Sequence, residues 1–339
     1  GDRVVVNEVI VFLSADALAD EVAVVVEQLN GTLIGQIPPV GIYQIRVDTA
    51  TEAELLSAIA TARSLPGVEG AHENALIEKM SLDGCFERED DNYEWTRTQR
   101  CALTDIQYFS LRPILDELAP SFSPVRVTNL EYIHMPSGQF DEVPSLAIFD
   151  IPVNDDEGGH GTATGSIIAS DQGDDAIAGI ASTLVGRSLE LVRTPESNTV
   201  MDLYTNLVTA VIFAKVRVVN MSFGLDDFDG RRTAFITTAR AKMKQIMQDF
   251  PEVLFVSAAG NKLLQLTKTN MFPGGIQLPN HITVGGSAEC NPNGAWMDPE
   301  DLFVGSNWGP LVNLAAPAQT VPVCGYFPDM LSWDPQLHL

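Results

Sequence analysis

From residue 125 to residue 317 the chain alternates strand-sized apolar runs with longer stretches of helical periodicity, and this alternation limits the fold more than any other feature of the sequence. The runs at 125–131, 146–153, 218–224, 255–261 and 282–286 are short, largely apolar, and mostly bounded by Gly, Pro or Asn. Helical patterns occupy 160–170, 201–213 and 232–250. A helix between two strands returns the chain to its starting edge, so successive strands run parallel, and a parallel sheet must be covered on both faces. The expected class is α/β, a mainly parallel sheet with helices on both faces.

The first eighty residues carry a different pattern. Val4–Leu13 alternates and is β-branched, and 15–30 sets Leu18, Val22, Val25, Val26 and Leu29 on one helical side. Thr32–Ile37 and 42–47 read as strands joined through Pro38 and Pro39. A second helix follows at 51–64, with Thr49 or Thr51 as its cap, and a last strand at 68–77. The order β-α-β-β-α-β describes a small ferredoxin-like α+β unit. The expected organisation is an N-terminal domain over 1–80, an acidic linker over 81–124 and a larger domain over 125–339.

Charge excludes one class of partner. The formal net charge is -25, whereas binding nucleic acid needs clustered Lys and Arg to displace counterions from phosphate. Residues 81–160 hold 16 Asp and Glu against five Arg and no Lys, which suits a solvated surface or cation-binding loops. No apolar run reaches the roughly 18 residues of a membrane span, and Gly1-Asp2-Arg3 has no signal-peptide character. Cys85, Cys101, Cys290 and Cys324 lack C-x-x-C spacing. Cys85 and Cys101 flank the acidic stretch and could close it as a disulfide in an oxidising compartment, or the four could stay free thiols.

The chemistry-bearing residues fall in a series of short motifs. GGHGTATG at 158–165, continued by SIIA, supplies glycines for a tight turn ahead of a helix whose first turn presents His160. Imidazole is the side chain suited to taking and returning a proton near neutral pH. AGIA at 178–181, VVNMSFG at 218–224, FVSAAGN at 255–261, FPGG at 272–275, ITVGG at 282–286, GSNWG at 305–309 and NLAAP at 313–317 follow. In this order the series resembles that of the subtilisin-like serine peptidases. EVIVFL at 8–13 and LPGVEGAHEN at 65–74 resemble the propeptide of the same family, so the resemblance covers 4–79 and 125–317.

That resemblance implies a secreted serine endopeptidase in proenzyme form, acting on protein or peptide substrates. It implies His160 as general base, Asn261 as oxyanion donor, and Ser222, Phe223 and Gly224 as the backbone strand that pairs with substrate. It also makes the N-terminal domain an inhibitory propeptide held in cis, with its processing junction at Met80 and Ser81. Such a tail inhibits by adding an extended strand to the enzyme's edge. On the residues alone, Gly260-Asn261 is also ordinary turn chemistry, and His72 in the last propeptide strand reads as structural. No cofactor is required. Calcium is compatible with the acidic loops, though none has a diagnostic ligand spacing.

The chain departs from the family pattern in two places. A carboxylate should precede the histidine and orient it. LAIFD at 146–150 ends in Asp150, only ten residues before His160. Counting back without gaps, VRVTNLE at 125–131 brings Glu131 to the position where the family has aspartate, with Ile133 where the family has glycine. Glu131 is favoured over Asp150, although a side chain one methylene longer reaches the imidazole only if the backbone retreats, and a misplacement of about 1 Å can cost roughly 10²-fold. The second departure is the nucleophile: 318–339 contains no Gly-Thr-Ser-x-Ala motif, and Ser332 lacks those neighbours. The serine is therefore expected beyond Leu339, and the chain by itself is not expected to form an acyl-enzyme. The alternative is a catalytically inactive pseudopeptidase that binds peptides or its own propeptide.

Overall fold

The computed structural model describes residues 4–79, 108–118, 121, 123–131, 133, 145–147, 159–169, 179–181, 189–195, 197–227, 230–288, 291–295 and 305–318. Its N-terminal region forms β1 (Val4–Leu13), α1 (Ala19–Gln28), β2 (Thr32–Ile37), β3 (Ile42–Arg46), α2 (Glu52–Ser64) and β4 (Val68–Ala75). These strands make an antiparallel sheet in the order β2-β3-β1-β4, the ferredoxin-like arrangement. Thr51 starts α2: its hydroxyl accepts the Glu54 N–H at 3.3 Å while the Glu54 carboxylate accepts the Thr51 N–H at 3.0 Å. Two otherwise orphaned donors are thus satisfied reciprocally. Thr49 is used elsewhere, on the Val6 carbonyl at 2.6 Å. α1 begins later than its apolar pattern suggests. The Glu21 carboxylate accepts the Leu18 N–H at 2.7 Å and fixes the helix start there, leaving Leu18 67% exposed.

β1 is covered twice. Val9, Val11 and Leu13 pack with Val22 and Val25 of α1 and Leu55 and Ile59 of α2. Ile10 and Phe12 point the other way, as period-two alternation requires, and join Tyr204 and Phe235 in the core of the larger domain. The N-terminal sheet is therefore a layer between its own helices and the rest of the molecule.

Next in the chain come β5 (Glu78–Lys79) and α3 (Tyr108–Leu118), the latter a helix in the expected linker that contains Pro113. The larger domain follows with β6 (Val125–Asn129), β7 (Ser145–Ala147), α4 (Gly159–Ala169), β8 (Leu189–Arg193) and α5 (Val200–Ile212). Then come β9 (Val218–Met221), β10 (Phe223–Asp226), α6 (Thr233–Asp249), β11 (Leu254–Ala258) and β12 (Met271–Phe272). β13 (His281–Ala288), β14 (Asn291–Ala295) and β15 (Leu314–Pro317) complete the described elements. β7, β8, β6, β9, β11, β13 and β15 lie side by side and run parallel, and β14 pairs antiparallel with β13. On one face, Val192, Val219 and Met221 pack with residues of α5 and α6. On the other, Val127, Leu189 and Leu191 pack with Ala169 and Ile168 of α4. The mainly parallel sheet with helices on both faces is present.

One run expected as a single strand is two. At Ser222 the chain leaves the parallel sheet, so β9 stays in it while β10 enters a small antiparallel sheet between β12 and β5. From β6 the chain winds to β7 and β8 on one side and to β9, β11 and β13 on the other. Sites in such sheets lie beyond the carboxyl ends of the strands, where the winding reverses. Glu131, Ser222 and Asn261 follow the ends of β6, β9 and β11, three adjacent strands.

Candidate active site

His160 is the second residue of α4, and Glu131 lies two residues past β6. The two side chains meet: His160 Nδ1 stands 2.6 Å from Glu131 Oε1, with the side chains only 8% and 2% exposed. A carboxylate can only accept, so Nδ1 carries the hydrogen and Nε2 is left with a lone pair. The other carboxylate oxygen, Oε2, is buried and has no hydrogen-bond partner among the described residues. The contact thus fixes the tautomer and aims the ring, leaving Nε2 as the nitrogen able to accept a proton.

A chain of amides and hydroxyls joins the segments around this pair. Asn129, the last residue of β6, donates from Nδ2 to Thr164 Oγ1 at 2.7 Å and to the Gly161 carbonyl at 3.2 Å, both on α4. Its Oδ1 accepts Asn220 Nδ2 of β9 at 2.8 Å, and Asn220 Nδ2 also reaches Ser222 Oγ at 2.8 Å. The Leu130 N–H donates to the Asn220 carbonyl at 3.1 Å, and the Leu130 carbonyl accepts from Ser197 Oγ at 2.8 Å. The histidine helix, the glutamate strand and the edge-strand entrance are thus one hydrogen-bonded unit. Sequence reasoning missed Asn129 and Asn220. Their signal is the placement of an amide, able to donate and accept at once, at or beside the inner ends of two buried strands.

Ser222, Phe223 and Gly224 present an edge that is already taken. Lys79 pairs antiparallel opposite Phe223 and Glu78 opposite Gly224. Just before, the Ile77 N–H donates to the Asn198 carbonyl at 2.8 Å and Leu76 bridges Thr199. A side chain at Gly224 would meet the Phe272 carbonyl at 2.7 Å, so the strand stays flat against β12. Asn261 is half-buried in the turn after β11. That turn depends on Gly260, at φ +100, and on Asn307, whose Oδ1 accepts the Lys262 and Leu264 N–H groups at 3.1 and 3.0 Å. Asn307 Nδ2 donates to the Ala259 carbonyl at 2.9 Å.

His72 lies away from this centre, fully buried between Phe12, Tyr204 and Phe235 where the N-terminal sheet meets α5 and α6. Burial pushes its pKa down to about 4, with the nearby Arg63 charge adding to the effect. Asp150, Met80, Ser81 and the four cysteines lie outside the described residues. Among the described residues no three His, Cys, Asp or Glu side chains converge as a metal site, so they do not place the calcium that the acidic loops would admit. No described helix is long and apolar enough to cross a membrane.

The model of the subtilase family matches residues 143–337. No curated protein sequence matches the chain. Among solved structures, the epidermin leader peptide processing serine protease EpiP from Staphylococcus aureus is similar at 14% identity and a TM-score of 0.57, over 92% of this chain and 74% of that one. Fervidolysin from Fervidobacterium pennivorans, a keratinolytic enzyme related to subtilisin, is similar at 14% identity and a TM-score of 0.54. That match covers 93% of this chain and 47% of fervidolysin, so the chain spans about half of its length. At this identity both likenesses show the fold. The unmatched remainder of this chain is in each case smaller than the N-terminal sheet region, so the likeness extends into it.

Proposed function

The chain belongs to the subtilase family, and on that premise we propose that it is a secreted serine endopeptidase in proenzyme form, with residues 1–80 as an inhibitory propeptide bound in cis. The observation that carries this reading is the buried His160–Glu131 contact of 2.6 Å, linked through Asn129 and Asn220 to Ser222, beside which β10 receives an antiparallel strand. His160 Nε2 takes the proton of a serine hydroxyl as the serine oxygen bonds to the substrate carbonyl carbon. His160 then gives that proton to the leaving amine nitrogen as the C–N bond breaks, and a water repeats the sequence to free the acyl group. Glu131 keeps Nδ1–H aimed and stabilises the imidazolium. Asn261 donates to the developing oxyanion, a role worth about 10²–10³ in rate when tested in a subtilisin. Ser222, Phe223 and Gly224 hold the peptide as an added strand. The serine is supplied from beyond Leu339, and no step requires a metal or other cofactor.

β5 on β10 is the propeptide's product-like tail in this reading, and the expected junction between Met80 and Ser81 follows Lys79 by one residue. The second reading, a pseudopeptidase that keeps its own strand, is favoured by that same occupied edge together with a glutamate whose second oxygen has no partner among the described residues. The deciding experiment is the intact mass of the protein produced with the sequence that carries the serine, beside its His160→Ala variant, after incubation at neutral pH. Loss of the first eighty residues only in the unmutated protein supports the peptidase; a folded, uncut chain in both supports the pseudopeptidase.

A further inference from the structure

We infer that Ile133, lodged against Gly165, is a positioning residue that sets the spacing between Glu131 and His160, so that this site accepts a glutamate and rejects a shorter acid. The inference rests on the proposed Glu131–His160 pairing and deepens it.

The segment from Asn129 to Ile133 is tied to α4 at both ends. At one end, Asn129 bonds Gly161 and Thr164. At the other, Ile133 is fully buried and faces Gly165. A Cβ on Gly165 would lie 2.9 Å from Ile133 Cδ1, 3.3 Å from Cγ1 and 3.4 Å from Cγ2, so the isoleucine packs onto helix backbone that any larger residue would cover. Glycine is a poor choice inside a helix on propensity alone, and the isoleucine contact supplies its reason. Leu130 is pinned as well, through Asn220 and Ser197. Glu131 therefore sits between fixed neighbours and its backbone cannot slide toward His160.

The carboxylate itself has little else to orient it, because Oε2 has no partner among the described residues. Among those residues its aim comes from the backbone placement, the side-chain length and the His160 contact. Shortening the side chain by one methylene withdraws the carboxylate by up to about 1.5 Å, one carbon–carbon bond, and a 2.6 Å contact then leaves hydrogen-bond range.

The test needs no turnover: a proton NMR spectrum of the folded chain, in which the hydrogen-bonded His160 Nδ1–H gives a low-field resonance, assigned by its disappearance in His160→Ala. The expected results are loss of that resonance in Glu131→Asp, its return in Glu131→Asp combined with Ile133→Gly, loss in Gly165→Ala, and return when Gly165→Ala is combined with Ile133→Val. Ile133→Val alone, which keeps the core nearly filled, shifts the resonance while circular dichroism and melting stay close to the parent. A resonance that persists in Glu131→Asp, or that stays in place in Ile133→Val, overturns the inference. Absence of the resonance in the unmutated chain overturns the Glu131–His160 pairing of the proposed function instead.

Discussion

His160 and His281 belong to the same domain, both are nearly buried, and each has an oxygen partner that a motif search would notice. His281, at the start of β13, lies 2.9 Å from Ser257 Oγ through Nε2 and 2.6 Å from the Ile276 carbonyl through Nδ1. On residue types alone, this is a serine–histidine dyad. Its geometry is the opposite of a working one: the carbonyl claims Nδ1–H, the serine hydroxyl must donate to Nε2, and Ser257 and His281 are 1% and 3% exposed. Both ring nitrogens are consumed and no substrate can arrive. Among the described residues His160 spends only Nδ1, on Glu131, at the carboxyl edge of the sheet, where Asn129 and Asn220 link its helix to Ser222 at the start of the strand that pairs with β5. A histidine becomes a candidate base through the nitrogen left over, and the sheet position decides whether that nitrogen meets anything.

The largest expected effect tests the chemical half of this comparison. Glu131→Gln keeps the side chain's size but removes its charge and can favour the wrong tautomer, so self-cleavage of the serine-bearing protein should slow by about 10⁴-fold, read from intact mass over time. An unchanged rate would remove Glu131 from the mechanism.

Acid should act on the structural half. Burial holds His281 near a pKa of about 4, with the Arg240 charge adding to it, and burial holds His72 near about 4 as well. Below the ordinary value of 6.5 the unfolded chain binds protons that the folded chain refuses. The contribution of these groups is therefore complete above about pH 6.5 and is lost as pH falls toward 4, by at most about 3 kcal/mol for each histidine. Urea unfolding at pH 7 and pH 4.5 measures it. His72→Phe should lose less stability between the two pH values than the parent does, and an equal loss would mean that His72 is protonated in the folded state.

Ser257→Ala comes next. It leaves His281 Nε2 buried without a donor, which costs about 1–3 kcal/mol, and it should leave self-cleavage untouched. A loss of cleavage at retained stability would merge the two histidines that the geometry separates.

The N-terminal fold was legible because each signal there is local: alternation in β1, the Thr51–Glu54 capping box, and a helical apolar stripe. The exposed start of that stripe, Leu18, is where periodicity misled, since a capping carboxylate set the boundary and the apolar pattern did not. The parallel sheet was legible from alternation, but its strand order was not. The juxtaposition of Glu131, Ser222 and Asn261 depends on β6, β9 and β11 being neighbours, which no local pattern states. Glu131 itself was reached by counting residues, and the means of holding it were invisible: Asn129, Asn220 and the Ile133–Gly165 contact act across distances in sequence that a linear reading does not cover. α3 was missed because Pro113 and acidic composition argue against a helix, and neither forbids one.

The smallest effect concerns what holds the N-terminal domain in place. Asn74, near the end of β4, accepts the Met201 N–H of α5 at 3.1 Å and donates to Glu8 at 2.8 Å. Met201 lies in the first turn of α5, where backbone donors have no partner within the helix, so a residue of one domain caps a helix of the other. Thr199 and Asp202 already satisfy each other at that end. Asn74→Ala therefore removes both bonds, of which only the one to Met201 crosses between the domains; Glu8 keeps Gln44 and the Thr199–Asp202 pair keeps the helix start, so the cost is about 1–2 kcal/mol, visible as a small drop in melting temperature. Because the contact lies between domains and involves neither His160 nor Glu131, the same variant should shorten the time for which the cleaved N-terminal fragment stays bound while leaving the first cleavage rate unchanged. A slowed first cleavage would mean that the domain contact also aligns β5 on β10, and that holding and chemistry are one function at this edge.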